Sequence, residues 1–365
     1  MNISEYKQDP NEIEFENDEN EPAEESPVAD LAKIVSYNIA NTVEVLKLKI
    51  DNEEINLKPE FQRDFVWDIN RASLFIDSLL TGLPIPSIFL GKDKEDESYI
   101  VIDGQQRLKS AYYFITGSFI SNEKSAIFTL KGLKDREWNG KTFAELDAKY
   151  KRRINNAVLN TTIIEDINFR PRVVHDLFHR LNTGGVPLTD QEIRNCVYTG
   201  IFNKQIIELN SYNNWRILIG KPFPERRLRD VELVLRFFAL FHGLSVYKES
   251  MREFLSTFQD NNKNNHDFIA SNNELFKATV DLILHEIGPN AFKLVSTINK
   301  SVCDSVMVSI AQIITSRKSH ANLKQKHQQI IADETYRKYV TYSTSSEANV
   351  TGRIDLARNY FLGLK

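Results

Sequence analysis

The run Tyr99-Ile100-Val101-Ile102-Asp103-Gly104-Gln105-Gln106-Arg107 places the tightest constraint on how this chain folds. Its first four residues are β-branched, aromatic or apolar, the composition of a buried strand. Asp103-Gly104 interrupts that pattern, and Leu108, Ala111, Tyr112 and Ile115 then recur at helical spacing. The chain must turn sharply from strand into helix, with Asp103 near the N-cap and Gly104 at the bend. The first turn of such a helix offers backbone N–H groups beside two amides and a guanidinium, a setting suited to phosphate.

Charge is unevenly spread. Residues 1–30 hold eleven acids and one lysine, so a net charge of −4 for the whole chain leaves +6 on the remainder. This acidic stretch includes Pro10, Pro22 and Pro27 and few large apolar residues, so disorder is expected over 1–30. A mildly basic remainder is compatible with nucleic acid or nucleotide ligands. Apolar residues make up 41% and charged residues 26%, as in globular proteins. No apolar run reaches the length of a membrane span, and no signal peptide is visible. The two cysteines, Cys196 and Cys303, lack metal-ligand spacing and read as buried thiols in a reducing cytoplasm.

Along the chain, Ile39, Val43, Leu46 and Ile50 predict a helix over 34–50, followed by an extended piece at 55–58. Glu60 to Trp67 is aromatic-rich around Gln62 and Arg63. Arg63 either snorkels from a packed segment or is held by it to face a ligand. A helix over 69–80 stops at Gly82, and Leu83-Pro84-Ile85-Pro86 enforces an extended path. Strands at 87–90 and 99–102 form a hairpin. The 103–116 helix, one or two short strands within 119–133, a helix over 143–158 and a strand at 161–164 follow. Lys149, Lys151, Arg152 and Arg153 read as a solvated basic face. A further helix over 171–181 ends in Asn182-Thr183-Gly184-Gly185, and Thr189-Asp190-Gln191-Glu192 is a capping box opening a helix through Tyr198. Beyond residue 200 strand signals vanish and helical periodicity prevails over 231–241, 251–258, 274–284, 302–314 and 353–361. The organisation expected is an acidic tail (1–30), an α+β domain (31–199) and an all-α region (200–365).

His175 and His179 lie one helical turn apart, but Asp176 between them is not the glutamate of a zinc-protease helix and no third ligand is evident. No metal site is predicted. Phosphate-loop, nucleophile-elbow and zinc-cluster patterns are also absent. Asp103 to Arg107 is different, because two glutamines and an arginine at a strand–helix turn need polar partners. An Asp103–Arg107 pair across one helical turn is the simplest such partner. The turn at Asn182, Thr183 and Gly184 reads either as C-capping or as a second wall of a nucleotide pocket.

The ordered set Phe61-Gln62-Arg63 with Trp67, Leu83-Pro84-Ile85-Pro86, Asp103-Gly104-Gln105-Gln106-Arg107, Leu181-Asn182-Thr183-Gly184-Gly185 and Glu192-Ile193-Arg194-Asn195 resembles the N-terminal domain of GmrSD-type restriction endonucleases. The resemblance covers about 35–200. It implies a ParB/sulfiredoxin-like α+β core, a small mixed sheet with helices, in a bacterial or archaeal defence protein that binds nucleoside triphosphate. The family's DGQQR motif maps onto Asp103, Gly104, Gln105, Gln106 and Arg107, and its F-Q-R onto Phe61, Gln62 and Arg63. Full-length family nucleases carry an HNH-type domain. Its histidine and asparagine pattern is not found after residue 200, where His320 and His327 lie in a basic, polar stretch.

The expectation is a nucleoside triphosphatase, with or without Mg2+, coupled to DNA sensing or restriction through a nuclease partner subunit. Arg63 and Arg107 would grip phosphate oxygens, and Gln62, Gly104, Asn182, Thr183 and Gly184 would complete the nucleotide site. Gln105 or Gln106 would orient the attacking water, while Asp103 accepts its proton or holds the cation. Two alternatives stay open: a non-hydrolysing nucleotide-dependent DNA switch, and a direct DNA-processing enzyme using the same pocket. DNA, modified or unmodified, is the expected macromolecular ligand, with self-association compatible and no membrane partner.

Overall fold

The structure is a computed structural model, and it describes residues 12–15, 35–57, 67–92, 97–121, 124–165, 189–225, 227–318 and 321–364. Two compact units emerge, one formed by residues 26–188 and the other by residues 1–25 with 189–365. The first is α+β and the second, among its described residues, is helical.

The α+β unit is built on a five-stranded mixed sheet. Its strands are β1 (Ser36–Thr42), β2 (Ile55–Asn56), β3 (Ile88–Lys92), β4 (Tyr99–Asp103) and, last in sequence, Val158–Ile164, which is β7. Spatial order is β1-β7-β3-β4-β2. β1 and β7 are antiparallel, β7 and β3 parallel, β3 and β4 antiparallel, and β4 and β2 parallel. The expected hairpin is thus the β3–β4 pair. β5 (Ser118–Ser121) and β6 (Lys124–Ile127) form a separate antiparallel pair. Helices α1 (Val43–Asp51), α2 (Ile69–Thr81), α3 (Gln105–Thr116) and α4 (Ala148–Asn155) complete the unit. One core joins Ile76, Leu80 and Phe114 from the helices to Ile88 and Val101 from the sheet. Gly82, in the left-handed conformation, ends α2 where the sequence places its stop.

Two expectations need correction. The single helix over 34–50 is instead strand β1 followed by α1. Tyr37 and Ile39 alternate at strand period, and an unbroken register from Ser36↔Ile164 to Thr42↔Val158 satisfies this backbone. Thr42 then caps α1 by accepting from Val45 N–H at 3.3 Å, which fixes the helix start. The helix over 143–158 is also shorter. Thr142 N–H and Oγ bond the Glu145 carboxylate in a separate turn, α4 begins after Asp147, and Val158 already belongs to β7.

In the helical unit, α5 (Asp190–Val197) carries both bonds of the expected capping box between Thr189 and Glu192. It is followed by α6 (Ile201–Asn210), α7 (Asn213–Ile219), α8 (Arg229–Gly243), α9 (Met251–Asn261), α10 (His266–Glu286) and α11 (Lys300–Thr315). The last three are α12 (Leu323–Ala332), α13 (Glu334–Thr341) and α14 (Glu347–Leu362). α11 is the central rod: it is buried on nearly every side and packs on α8, α10, α13 and α14. Its Val302, Val306, Met307 and Ile310, with intervening serines, suit a helix surrounded by other helices. Cys303, on the same rod, is a buried free thiol that burial pushes well above its ordinary pKa. Within the tail expected to be disordered, Phe15 forms an isolated bridge with Ile298 and Ile13 joins the helical core. No helix among the described residues is long and apolar enough to cross a membrane.

Candidate functional site: the Asp103–Arg107 turn

β4 ends at Asp103, and α3 begins at Gln105. The residue between them, Gly104, is the N-cap and has φ +93°, a conformation that costs other residues energy. Space demands glycine as well. A Cβ here would stand 2.9 Å from Ile88 Cγ1 and 3.3 Å from Arg107 Nη2. Asp103, next to this N-cap as expected, is the last strand residue, opposite Phe89 beside an irregularity in the β3–β4 register. Such a bulge re-aims the side chains next to it. The Gly104 carbonyl accepts the first helical bond from Leu108 N–H at 2.9 Å. No side chain caps the helix, and its first turn contains no acid. The electropositive end of α3 is thus left to backbone N–H groups.

Each polar side chain of the turn has a protein partner. Arg107 pairs with Asp103 across one helical turn and donates to the carbonyls of Pro86 and, at 3.2 Å, Ser87. The extended path enforced by Pro84 and Pro86 is what presents those carbonyls. Gln106 Oε1 accepts from Trp67 N–H at 3.2 Å, and Gln105 Nε2 approaches the Leu57 carbonyl at 3.4 Å. Trp67 is fixed in turn against α2, edge-on to Phe75 and beneath the Arg71 guanidinium at 5.4 Å.

Leu57 and Trp67 flank the segment that contains Gln62 and Arg63, so the two glutamines bind both ends of it. Gln62 and Arg63 themselves, like Asn182, Thr183 and Gly184, lie outside the described residues, as do His175, His179 and His320. Sequence reasoning missed the partners Leu57, Pro86 and Ser87, because all three contribute main-chain carbonyls, which carry no residue-type signal. Only the Leu83-Pro84-Ile85-Pro86 run pointed towards them. Among the described residues no cluster of three or more His, Cys, Asp or Glu is arranged to hold a metal ion. His327 is buried, bonded to the Ala291 carbonyl at 2.9 Å, and burial lowers its pKa.

The turn can therefore offer an anion an uncapped helix N-terminus flanked by a guanidinium and one carboxylate. No curated protein and no solved structure matches the sequence. A family model does match, over residues 45–199, and its description is GmrSD restriction endonuclease, N-terminal domain. The span holds the whole Asp103–Arg107 turn and extends through α5, and residues 45–199 of this chain belong to the GmrSD restriction endonuclease N-terminal domain family.

Proposed function

We propose that this protein is a nucleotide-handling component of a DNA restriction system, with the Asp103–Arg107 turn as its nucleoside triphosphate site. The observation that carries the reading is the start of α3: a glycine N-cap with no side-chain cap and no acid in the first turn. Helix N-termini of this kind bind phosphate through backbone N–H groups and the helix dipole. Arg107 lies beside it with a planar fork that suits phosphate oxygens. Gln62, Arg63, Asn182, Thr183 and Gly184 are proposed to close the site around the nucleotide.

In the hydrolytic reading, Gln105 or Gln106 orients the attacking water and Asp103 accepts its proton. A Mg2+ ion fits this donor set, since it is held by one or two carboxylates together with substrate phosphates. Its chemistry would be neutralisation of phosphate charge. Nucleotide binding by dialysis and phosphate release from each NTP test the reading. Wild type should bind at least one NTP, Arg107→Ala should weaken that binding tenfold or more, and Gln105→Ala should slow release. Failure of the folded wild type to bind any NTP would remove the proposal.

One observation favours the switching alternative. Arg107, Gln105 and Gln106 each already hold another segment, and the two terminal nitrogens of Arg107 bond the Pro86 and Ser87 carbonyls and the Asp103 carboxylate, so a phosphate gripped by that end competes with them. Nucleotide would then rearrange the turn and the ends of the 58–66 segment. Tight binding without phosphate release identifies that behaviour. The family's restriction role makes DNA the proposed downstream ligand, with cutting assigned to a partner subunit, and DNA binding should weaken steeply with salt.

A further inference from the structure

The short described piece of the acidic tail is held on the helical unit by five separate contacts. Ile13 is buried in the helical core. Phe15 forms a parallel bridge with Ile298, in the loop between α10 and α11. The Arg229 guanidinium, at the start of α8, lies 5.6 Å from the Phe15 ring centre and pairs with Glu12 at 3.2 Å. From the start of α11, Lys300 Nζ lies 4.7 Å from the same ring centre. A carboxylate on a guanidinium and an aromatic ring between two cations are also what a nucleic acid strand presents, as phosphate and stacked base. Residues 189–365 carry 23 basic and 18 acidic residues, a net of +5, against −10 for residues 1–30.

We propose that Glu12–Phe15 is an autoinhibitory strap that covers a polyanion-binding patch on the helical unit, so that strap and nucleic-acid backbone compete for Arg229 and Lys300. Ile13 supplies the anchor, and the acids around it supply the competing charge. Arg229 also pairs with Glu225, which positions its guanidinium for either occupant. The inference rests on the reading that this protein engages DNA.

The test measures binding of a fluorescein-labelled DNA duplex to the full chain at low and at physiological salt. Ile13→Ala/Phe15→Ala should bind about tenfold more tightly than wild type at low salt, with a steeper salt slope, as expected when a polyanion gains phosphate contacts. Adding Arg229→Gln and Lys300→Gln should return affinity to the wild-type level. Far-UV circular dichroism reports whether the helices persist. Should the apolar anchor prove essential for folding, Glu12→Gln/Glu14→Gln leaves Ile13 and Phe15 in place and should still raise affinity several-fold. Equal duplex affinity in wild type and both released variants overturns the strap while leaving DNA engagement intact. Absence of duplex binding by every folded form overturns both.

Discussion

The two units use the same ion pair in opposite surroundings. In the α+β unit, Asp103 and Arg107 meet at a turn where their side chains are 32% and 14% exposed. In the helical unit, Asp304 of α11 takes a two-pronged bond from Arg236 at 3.0 and 2.7 Å and a third from Arg353 at 2.9 Å, with all three side chains buried. The buried set is longer still. Gln191 and Glu232 hold Arg194 of α5, and Glu232 also approaches Arg236, so one polar chain runs from α5 through α8 and α11 to α14. A pair that keeps some solvent contact contributes less to stability, whereas breaking a fully buried one strands a charge. Arg107 thus sits at the edge of solvent, whereas Arg236 and Arg353 are fixed inside the helical unit.

The contrast breaks most visibly at Asp304. Burial alone would raise its carboxyl, but Arg236 and Arg353 override that and hold it below the usual carboxylate range. Asp304→Ala leaves two buried guanidinium groups without their carboxylate and should cost about 3–5 kcal/mol, read as lost urea resistance of the helical signal. A depressed pKa contributes stability above the unfolded value that disappears as pH falls through the folded one, so wild type should lose this advantage in acid and the variant should not.

Glu225 has the opposite sign. Its carboxyl is buried, and burial raises it to about 7 despite the opposing Arg229. A raised pKa means full stability below the unfolded value, near 4.5, and loss as pH rises to about 7. The loss amounts to about 3 kcal/mol, from the 1.36 kcal/mol that each unit represents. Glu225→Gln, a neutral mimic of the protonated carboxyl, should remove this slope, so the two proteins should unfold with similar free energies near pH 4 and wild type should fall behind by pH 8.

How much of this was legible beforehand differs between the regions. The turn was visible because Asp103-Gly104 breaks a β-branched run and α3 resumes the helical period at once. Both effects are local. The Asp103–Arg107 pair was also visible, since its members stand one helical turn apart. β1 was not, because strand pairing with β7 lies more than a hundred residues away and Ile39 happens to fall in phase with the α1 stripe. The Arg236–Asp304–Arg353 set was hidden for the same reason: three helices distant in sequence bring it together. Charged residues on a helical pattern read as solvent-facing until their partners are known.

A third, smaller effect tests the glycine. Gly104→Ala forces a side chain to φ +93° and drives its Cβ towards the buried Ile88, which should cost about 2 kcal/mol in thermal unfolding. Gly82→Ala offers the internal control. It carries the same positive-φ penalty but meets no atom within 4 Å, so the difference between the two variants isolates the close approach at the turn.

The smallest stability effect is predicted at Asp103, and it sharpens the comparison most. Asp103→Asn keeps the shape of the side chain and a hydrogen-bond acceptor for Arg107 while removing the charge. Because the pair is partly solvated, stability should change by no more than about 1 kcal/mol. Arg107 would keep its bonds to the Pro86 and Ser87 carbonyls. Nucleotide binding and phosphate release, measured together, identify the role of the carboxylate. If Asp103 mainly competes with phosphate for Arg107, Asp103→Asn tightens nucleotide binding and leaves phosphate release no slower. If it accepts a proton or holds a cation, affinity changes little in the absence of Mg2+ and phosphate release falls. A large loss of stability would instead place Asp103 and Arg107 with Asp304 and Arg353, as scaffold rather than exchangeable ligand groups.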